Sequence, residues 1–349
     1  MRSVGPLLAL ALSVLWTSSA YSAEPAKGVK VTRNEPQRRV DITVDGKPFT
    51  SYIWPTTLKK PTLFPLITDE GITVTRGYPL EPRPGERVDH PHHAGLWFNY
   101  GNADGFDFWN NSDAIKPENR PKMGDVVFKK VLSTYSGANS GELKVESTWI
   151  TGQNQPILDQ TTRYVFTRRN HARVIDQIIT LKALDRVVFH DDKEGLLGMR
   201  VAHWLESPTE KGGVFTDASG RATKVATADT SGATGIYLTS EGVKGDAAWG
   251  TRGRWCSLTG HTDDHTVTIA IFDHPGNPGY PTYWHARGYG LFAANPLGRS
   301  IFNPKETPLT FTLDKDQTAT FRYRVVLYSQ DADANELNHE ADTFTDEYK

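Results

Sequence analysis

Alternation of apolar and polar residues is the feature of this chain that most constrains its fold. In GELKVESTWI (Gly141–Ile150) the alternation places Leu143, Val145, Ser147 and Trp149 on one face of an extended segment. A two-residue period is typical of a β-strand whose two faces differ in burial. Helical periodicity is almost absent before the C-terminal segment DADANELNHEADTFTDEY, which predicts a short amphipathic helix. We therefore predict an all-β chain that ends in a helix.

Turn residues divide the alternating pattern into short strands. Val40–Trp54 predicts two strands around an Asp-Gly turn, and Pro308–Gln330 predicts two strands around an Asp-Lys-Asp turn. The Gly-, Thr-, Ala- and Ser-rich segment Lys211–Gly235 predicts a long surface connection. Strand patterns of the same kind lie on both sides of it, which favours one domain over residues 24–349. The predicted architecture is a large antiparallel β-sandwich.

A secretory signal peptide is predicted for residues 1–23. Arg2 is followed by the apolar run Pro6–Trp16 and then by small residues, which is the order found in secretory signals. Cleavage after Ala20 fits the small-residue rule best, and cleavage after Ala23 is the alternative. The apolar run is too short to anchor the chain in a bilayer. We expect a periplasmic or secreted protein.

The composition narrows the class of partner. Cys256 is the one cysteine, so an exported chain would have no internal disulfide, and we expect this thiol to be a buried small hydrophobe rather than a nucleophile. The formal net charge of −2 provides no basic face for nucleic acid, and we predict no membrane span. The expected partner is a carbohydrate or similar solute, and the oligomeric state stays open.

A cluster of three histidines is the densest polar motif. In RPGERVDHPHHAGLWFNY, an extended backbone would project His90 and His92 to one side and His93 to the other. Two imidazoles on one side can act as acid and base, and they can also share a divalent metal that other residues would complete. No residue is assigned as a metal ligand, and no cofactor is firmly predicted. Trp97 and Asn99 follow as candidate substrate contacts.

Two further segments break the alternating pattern. HDDKEGLLGMRVAHWLE contains Glu194 before an apolar strand and His203 after it, and a partly buried carboxylate there could serve as a base or a ligand. The segment Phe272–Gly298 is rich in Pro and Gly, so we expect no regular element over most of it. Its candidate site residues are His274, Tyr283, Trp284, His285, Arg287 and Asn295.

Four segments, DHPHHAGLWFNYG, KEGLLGMRVAHW, GRWCSLTG and DHPGNPGYPTYWHARGYGLFAANPLG, resemble in this order a family of bacterial exported proteins labelled methane oxygenase PmoA-like. The resemblance extends from about Val31 to the C-terminal helix. The family commonly has Arg after HPHH, where this chain has Ala94, so any ligand contact of that Arg is missing or made elsewhere. A methane oxygenase subunit needs several membrane-spanning helices, so we set the oxygenase label aside.

The strand-rich layout is also similar to the β-supersandwich of galactose mutarotase-like proteins, which implies a sheet that displays catalytic side chains to a sugar. On that basis we expect an exported carbohydrate-active enzyme of the lyase, epimerase or glycoside hydrolase type. His92 and His285 are the expected acid and base, with Glu194 and His90 as further catalytic candidates. The remaining candidates, expected to bind substrate, are His93, Trp97, Asn99, Trp109, His203, His274, Tyr283, Trp284, Arg287 and Asn295.

Two alternatives stay open at this point. A non-catalytic glycan-binding module would use the same aromatic and polar residues without proton transfer. A histidine-based metalloenzyme, including one with a His/His/carboxylate iron site, would need a metal at the histidine cluster. The four segments are expected to form one site.

Overall fold

The computed structural model describes Met1 and residues 27–229, 231–262 and 264–349. Apart from Met1, the predicted signal peptide lies outside the described residues. The strands of the described part are, in chain order, β1 (Val29–Asn34), β2 (Arg39–Val44), β3 (Lys47–Ile53), β4 (Thr62–Leu63), β5 (Leu96–Tyr100), β6 (Gly124–Ser136), β7 (Ser140–Thr151), β8 (Pro156–Arg169), β9 (Ala172–Ala183), β10 (Val187–His190), β11 (Gly195–Arg200), β12 (Lys211–Thr216), β13 (Ala222–Thr227), β14 (Ile236–Thr239), β15 (Trp255–His261), β16 (Thr266–Asp273), β17 (Tyr283–Arg287), β18 (Leu291–Asn295), β19 (Thr310–Leu313) and β20 (Thr318–Tyr328). Short 3₁₀ helices span Glu35–Gln37, Pro117–Lys122, His203–Leu205 and Gly245–Ala248, and the α-helix α1 spans Ala334–Glu347.

Two large antiparallel sheets account for most of these strands. Within the described residues, the first sheet has the order β1-β2-β3-β4-β5-β11-β18-β17, and the second has the order β14-β15-β16-β20-β9-β8-β7-β6. Two small sheets pair β10 with β19 and β12 with β13. The strands that build the candidate site, β5, β11, β18 and β17, are therefore neighbours at one end of the first sheet.

The core lies between the two large sheets. On β7 the predicted inward face is confirmed, because Leu143, Val145, Ser147 and Trp149 are all buried. From the first sheet, Phe98, Met199 and Phe292 belong to the same apolar cluster. Each of these strands buries alternate residues in the core, so the residues between them point to the outer face of their sheet.

The C-terminal helix covers the outer face of the second sheet. The Asp333 side chain caps α1 by accepting hydrogen bonds from the backbone N–H groups of Asn335 and Glu336. Leu337 and Phe344 pack in a second apolar cluster on that face. The expected fold class, an all-β antiparallel sandwich with a short C-terminal helix, is confirmed.

Two local predictions need correction, and a third is confirmed with strand partners that the sequence did not indicate. The segment Phe272–Gly298 contains the paired strands β17 and β18, because its alternating residues outweigh its Pro and Gly content. Lys211–Gly235 contains the hairpin of β12 and β13 instead of an irregular connection. The strands β19 and β20 do form, but β19 pairs with β10 while β20 pairs with β9 and β16. Among the helices of the described residues, we find none that is both long and apolar enough to cross a bilayer.

Candidate active site

A row of paired residues crosses the outer face of the first sheet. Trp97 on β5 pairs with Gly198 on β11, Gly198 pairs with Ala293 on β18, and Ala293 pairs with His285 on β17. Paired residues share a face of the sheet, so the side chains of Trp97, Ala293 and His285 point away from the core and Gly198 lies between them on that face. A Cβ at Gly198 would lie 2.6 Å from Trp109 and 2.7 Å from Trp97. Glycine at this position is therefore what lets both indoles lie across the sheet.

The three histidines contact one another beside this row. The ring centroids of His92 and His93 lie 4.4 Å apart, and those of His90 and His93 lie 4.8 Å apart in parallel planes. The expectation that His90 and His92 share one side of an extended segment is wrong. His90 has a φ of +43°, and the His93 N–H donates to the His90 carbonyl at 2.9 Å, so the chain turns here.

Two of the three histidines are buried and neutral. Burial, followed by the charges of Lys60 and His90, lowers the pKa of His92 to about 2, and burial also lowers the pKa of His93 far below its usual range. In the described part of the chain, the Nε2 atoms of His92 and His93 have no hydrogen-bond partner. These nitrogens are therefore buried without a protein partner, and neither histidine lines the cleft described below.

A metal-binding arrangement was the alternative use of the histidines. Within residues 27–229, 231–262 and 264–349, no group of three or more His, Cys, Asp or Glu side chains is arranged to hold a metal ion. The rings stack on their neighbours: His90 lies parallel to Tyr289 as well as to His93, and His93 lies nearly parallel to Trp97. Because lone pairs lie in the ring planes, parallel rings do not aim their nitrogens at one point.

A cluster of buried charges that the sequence did not indicate supports the histidine turn. We call Arg76, Arg87, Asp89, Arg200 and Glu206 the cleft-side cluster. Asp89 Oδ1 lies 2.5 Å from Arg76 Nη1 and 2.8 Å from Arg200 Nη2, and Glu206 Oε2 lies 3.2 Å from Arg87 Nε. The Arg200 and Arg76 side chains are fully buried. Buried charges of this kind persist only where they are paired.

The cleft-side cluster holds the histidine turn through hydrogen bonds. Arg76 Nη2 donates to the carbonyl oxygens of His90 and His93, each at 3.1 Å, and Arg200 Nη1 lies 3.3 Å from His93 Nδ1. Burial raises the pKa of Asp89, but the hydrogen bond with His90 and the charges of both arginines bring it below its usual range. Asp89 is therefore a fixed negative charge at the base of the histidine turn.

Lys60 is a second residue that the sequence did not indicate. Its ammonium donates to the His92 carbonyl at 2.5 Å and lies 5.0 Å from the centroid of the Trp97 ring. Burial lowers the pKa of Lys60 to about 7, although the charge of Asp107 opposes this shift. Nothing in the surrounding LKKPTLF distinguishes this lysine, because its burial depends on the distant histidine turn.

The other end of the row holds a carboxylate and an imidazole. His285 Nδ1 lies 2.9 Å from the Lys193 carbonyl oxygen and 3.8 Å from Glu194 Oε2. Because a carbonyl oxygen only accepts, Nδ1 carries the proton and Nε2 carries the lone pair. Burial, followed by the charges of Lys193 and Arg287, lowers the pKa of His285 to about 3. Lys193 also contacts the Glu194 carboxylate, whose side chain is 13% exposed.

A cleft of about 600 Å³ is lined by Ala286 and Arg287, which follow His285 on β17, whereas Glu194 and His285 themselves are not among its lining residues. Asp89 and His90 of the histidine turn and the β12 residues 211–214 also line it. The aromatic side chains of the lining are Trp249 and Tyr289, both of which are partly exposed. The remaining lining residues are Arg87, Ser207, Pro208, Thr209, Lys211, Gly212, Gly213, Val214, Asp246, Ala286, Arg287 and Gly288.

The tryptophans expected to stack on a sugar are not placed to do so. Trp97 and Trp109 lie on the outer face but are buried there, with their centroids 5.1 Å apart. Trp284 points to the opposite side of β17 and packs in the main core. A buried ring cannot offer its face to a solute, and the aromatic side chains that do line the cleft are those of Trp249 and Tyr289.

Several other candidates are held in structural contacts. Asn295 accepts from the backbone N–H groups of residues 297 and 298, and Asn99 donates to the Phe108 carbonyl at 2.5 Å. Tyr283 donates to Glu306 at 2.6 Å. His274 packs against Phe344 of α1. Their polar groups or ring faces are already engaged by neighbouring backbone, by the Glu306 side chain or by the helix. None of the four lines the cleft.

His203 lies on the other side of the cleft-side cluster. Its Nδ1 is 3.2 Å from Glu206 Oε2, and it lines a smaller cavity of about 320 Å³ with Phe215 of the hairpin. The four segments thus converge only in part. The histidine turn and the Tyr283–Arg287 strand both contribute lining residues to one cleft, and Glu194 contacts that strand through His285, whereas His203 and His274 lie outside the lining. Cys256, from the GRWCSLTG segment, is buried in the core.

The family model named DUF6807, a family of unknown function, matches residues 39–342. The chain belongs to this family. A search of curated proteins found no match to this DUF6807 chain. Among solved structures, it is similar to a GH36 α-galactosidase, AgaB, from Geobacillus stearothermophilus, with 13% identity and a TM-score of 0.41. The match covers 86% of this chain and 41% of that one, so the chain spans about two fifths of the α-galactosidase.

A galactose mutarotase related enzyme from Lactobacillus acidophilus is also similar, with 10% identity and a TM-score of 0.29. That match covers 87% of this chain and 98% of the other. Likenesses at these TM-scores assign no activity to the DUF6807 chain. Its chemistry has to be argued from its own side chains.

Proposed function

We propose that this DUF6807 protein is a carbohydrate-active enzyme that transfers protons on a sugar bound in the cleft. His285 is the group that accepts and returns the proton, and Glu194 is its charged partner. The observation that carries the proposal is the approach of a carboxylate to a neutral imidazole, with Glu194 Oε2 at 3.8 Å from His285 Nδ1, on the strand whose next residues, Ala286 and Arg287, line a cleft of about 600 Å³. Paired titratable groups at a cleft are the usual basis of general acid–base catalysis.

The two groups have complementary roles. The lone pair on His285 Nε2 accepts a proton from the sugar, and the Glu194 carboxylate stabilises the imidazolium that forms. The low pKa of His285, about 3, keeps the ring neutral and therefore able to accept before substrate arrives. The same imidazolium returns the proton in the second half of the reaction.

Negative charge develops on oxygen when a proton leaves a carbon next to a carbonyl or hemiacetal carbon. Arg287 lies two residues from His285 on the same face of β17 and lines the cleft. A guanidinium at that position stabilises an oxyanion. Epimerisation, elimination and some forms of hydrolysis share this proton-transfer step, so the proposal covers that group of reactions.

His90 is the histidine that lines the cleft itself. Its side chain is 42% exposed, and its ring lies parallel to Tyr289 at 5.3 Å. Because His90 faces solvent while His92 is buried, His90 replaces His92 as the candidate proton donor or acceptor on this wall. His92 then serves to position the turn through its carbonyl contact with Lys60.

A glycan-binding module remains the second candidate. The observation that favours it is the low pKa of His285, about 3, on the strand that lines the cleft. Imidazoles that stay neutral at physiological pH can serve as hydrogen-bond groups for sugar hydroxyls without transferring any proton. In that case Trp249 and Tyr289 would supply most of the affinity.

Export forms part of the proposal. The predicted signal peptide at residues 1–23 supports a periplasmic or secreted location, where polymeric sugars are met. Fractionation of expressing cells, followed by N-terminal sequencing of the purified protein, tests it. We expect a mature N-terminus after Ala20 or Ala23. A full-length chain in the cytoplasm would overturn this part of the proposal.

The test of catalysis uses isosteric substitutions. A panel of glycosides, free aldoses, keto sugars and unsaturated sugars identifies a substrate by product formation. We expect Glu194→Gln and His285→Asn to lower kcat by roughly 10²- to 10⁴-fold while the affinity for the sugar changes little. Glutamine keeps the shape of the carboxylate, and asparagine retains a donor for the Lys193 carbonyl.

Glu118→Gln and His339→Asn are the matched controls, because both residues are exposed and lie outside the site. They should leave kcat unchanged. Full turnover in both site variants would refute the acid–base assignment. Binding of sugars without turnover in the unsubstituted protein, with affinity lost in the site variants, would favour the binding module.

A further inference from the structure

The guanidinium of Arg287 is a cation that the protein does not neutralise. It lies 5.0 Å from the centroid of the Trp249 ring, in a cation–π contact at the wall of the cleft. In the described part of the chain, its Nε is buried without a hydrogen-bond partner and the group forms no ion pair. A partly desolvated cation without a partner is costly, and an anion that enters the cleft would offset that cost.

The groups around Arg287 add to this positive charge. Among the residues that line the cleft or belong to the cleft-side cluster, the cations are Arg76, Arg87, Arg200, Arg287 and Lys211, and the carboxylates are Asp89, Glu206 and Asp246. The chain as a whole has a formal net charge of −2, so this excess is local. Asp89 and Glu206 are already engaged by the arginines of the cluster.

The shape of the lining suits a flat ring that carries a charged group. The guanidinium of Arg200 packs against Tyr289, 4.9 Å from the centroid of its ring. Trp249 is held in the same way by Arg287 on the other wall. The cleft lining thus combines aromatic surface, which suits a pyranose, with the Arg287 guanidinium.

We infer that the substrate is an acidic saccharide whose carboxylate is bound by Arg287. This inference rests on the proposed function, because it names the substrate class of the same cleft. A guanidinium edge matches a planar carboxylate with two parallel hydrogen bonds, which favours a uronate over a neutral sugar. The free guanidinium and the local excess of cations are the two observations behind it.

The test compares each acidic sugar with its own methyl ester. Trisaccharides of galacturonate, glucuronate and mannuronate, and their methyl esters, are titrated into the full mature chain by calorimetry. The esters keep the ring and hydroxyl groups but lack the charge. At least one uronate should bind roughly 10- to 100-fold more tightly than its ester, with a difference that shrinks as NaCl is raised.

Variants assign this difference to one residue. Arg287→Gln should remove the preference for the uronate while affinity for the ester stays close to that of the unsubstituted protein. Arg287→Lys should retain part of it, because charge remains but the two parallel hydrogen bonds are lost. Arg186→Gln is the control, because Arg186 is an exposed arginine outside the cleft. It should leave both affinities unchanged.

The outcomes separate the inference from the function beneath it. If esters or neutral sugars bind and react as well as the uronates, the acidic substrate is refuted and the proposed function stands. If only sulfated sugars of the same length bind tightly, the carboxylate is refuted as the recognised group. If saccharides of every class fail to bind the folded protein, the proposed function fails as well.

Discussion

Two clusters of buried charge lie one on the outer face of each large sheet. They use the same residue types but differ in how many of their polar atoms have a protein partner. On the second sheet, Arg324 binds Asp176 through Nε and Nη2 at 2.6 and 2.8 Å and Glu340 through Nη1 at 2.7 Å, and it also contacts Glu347. Tyr348 donates to Asp176. We call these five residues the helix-side cluster. The helix α1 covers it, so the arginine is fully paired with protein groups.

The cleft-side cluster is left incomplete. Within the described residues, the Nε atoms of Arg76 and Arg200 and the Oε1 atom of Glu206 have no hydrogen-bond partner. No α-helix lies over this face in the described part of the chain, and a cleft opens there instead. A buried polar cluster whose partners are all supplied contributes to stability, whereas one with free groups beside a cleft is suited to a ligand.

Breaking the helix-side cluster should have the largest effect on stability. Arg324→Leu leaves Asp176 buried with Tyr348 as its remaining partner, and we expect the free energy of unfolding to fall by about 3–5 kcal/mol. Chemical denaturation of the purified variant measures this change. The exposed pair of Arg186 and Asp314 provides the control, since Arg186→Leu should cost less than about 0.5 kcal/mol. Sugar affinity per folded molecule should not change in either variant.

Breaking the cleft-side cluster should cost less stability and more function. In Arg200→Met, Asp89 keeps Arg76 and Glu206 keeps Arg87, so we expect a loss of about 1–2 kcal/mol in the free energy of unfolding. Sugar affinity should fall, because Tyr289 loses its support. Chemical denaturation measures the change in the free energy of unfolding, and calorimetric titration measures the change in sugar affinity. A stability loss equal to that of Arg324→Leu, with affinity intact, would mean that both clusters are purely structural.

The smallest expected effect is a difference between the two clusters in how the free energy of unfolding depends on pH. The hydrogen bond with Glu206 raises the pKa of His203, so the charged imidazole adds stability at a pH below its unfolded pKa and this contribution is lost as the pH rises through the raised value. Solvent screening keeps the effect to about 0.5–1 kcal/mol. The difference in unfolding free energy between the unsubstituted chain and His203→Gln should therefore shrink from pH 6 to pH 8.

The helix-side cluster has no histidine, so it gives the matched comparison. The cost of Arg324→Leu should not shrink from pH 6 to pH 8, because burial raises the pKa of Asp176 and loss of the arginine raises it further, so any change with rising pH has the opposite sign. If His203→Gln showed a constant cost over this range, or a cost that grew with pH, the ion pair with Glu206 would not be the source of the stability.

The fold could be predicted because its main signal is local. A strand whose faces differ in burial shows this in its own ten residues, as β7 does, and turn residues mark where strands end. The partners of each strand could not be predicted. The row Trp97, Gly198, Ala293 and His285 joins strands far apart in sequence, and no local pattern specifies that register.

The candidate site could be predicted in part for the same reason. His285, Glu194 and Arg287 stand in polar segments that interrupt the alternation, so the sequence indicated them. Trp249 and Lys60 stand in ordinary surroundings and gain their importance from distant neighbours. Aromatic residues in particular fit a core and a binding surface equally well from sequence, which is why buried tryptophans were assigned the stacking role.

The contact between Arg287 and Trp249 also makes ligand binding in the cleft detectable by tryptophan fluorescence. An indole whose face is covered by a guanidinium emits according to that cation and to the water around it. A ligand that moves Arg287 or excludes solvent from the wall changes both, while the tryptophans buried elsewhere keep their surroundings. The intrinsic fluorescence of the unlabelled protein therefore offers a direct readout for screening sugars before any product assay exists. The variant Trp249→Phe is the control, because it lacks the reporting indole.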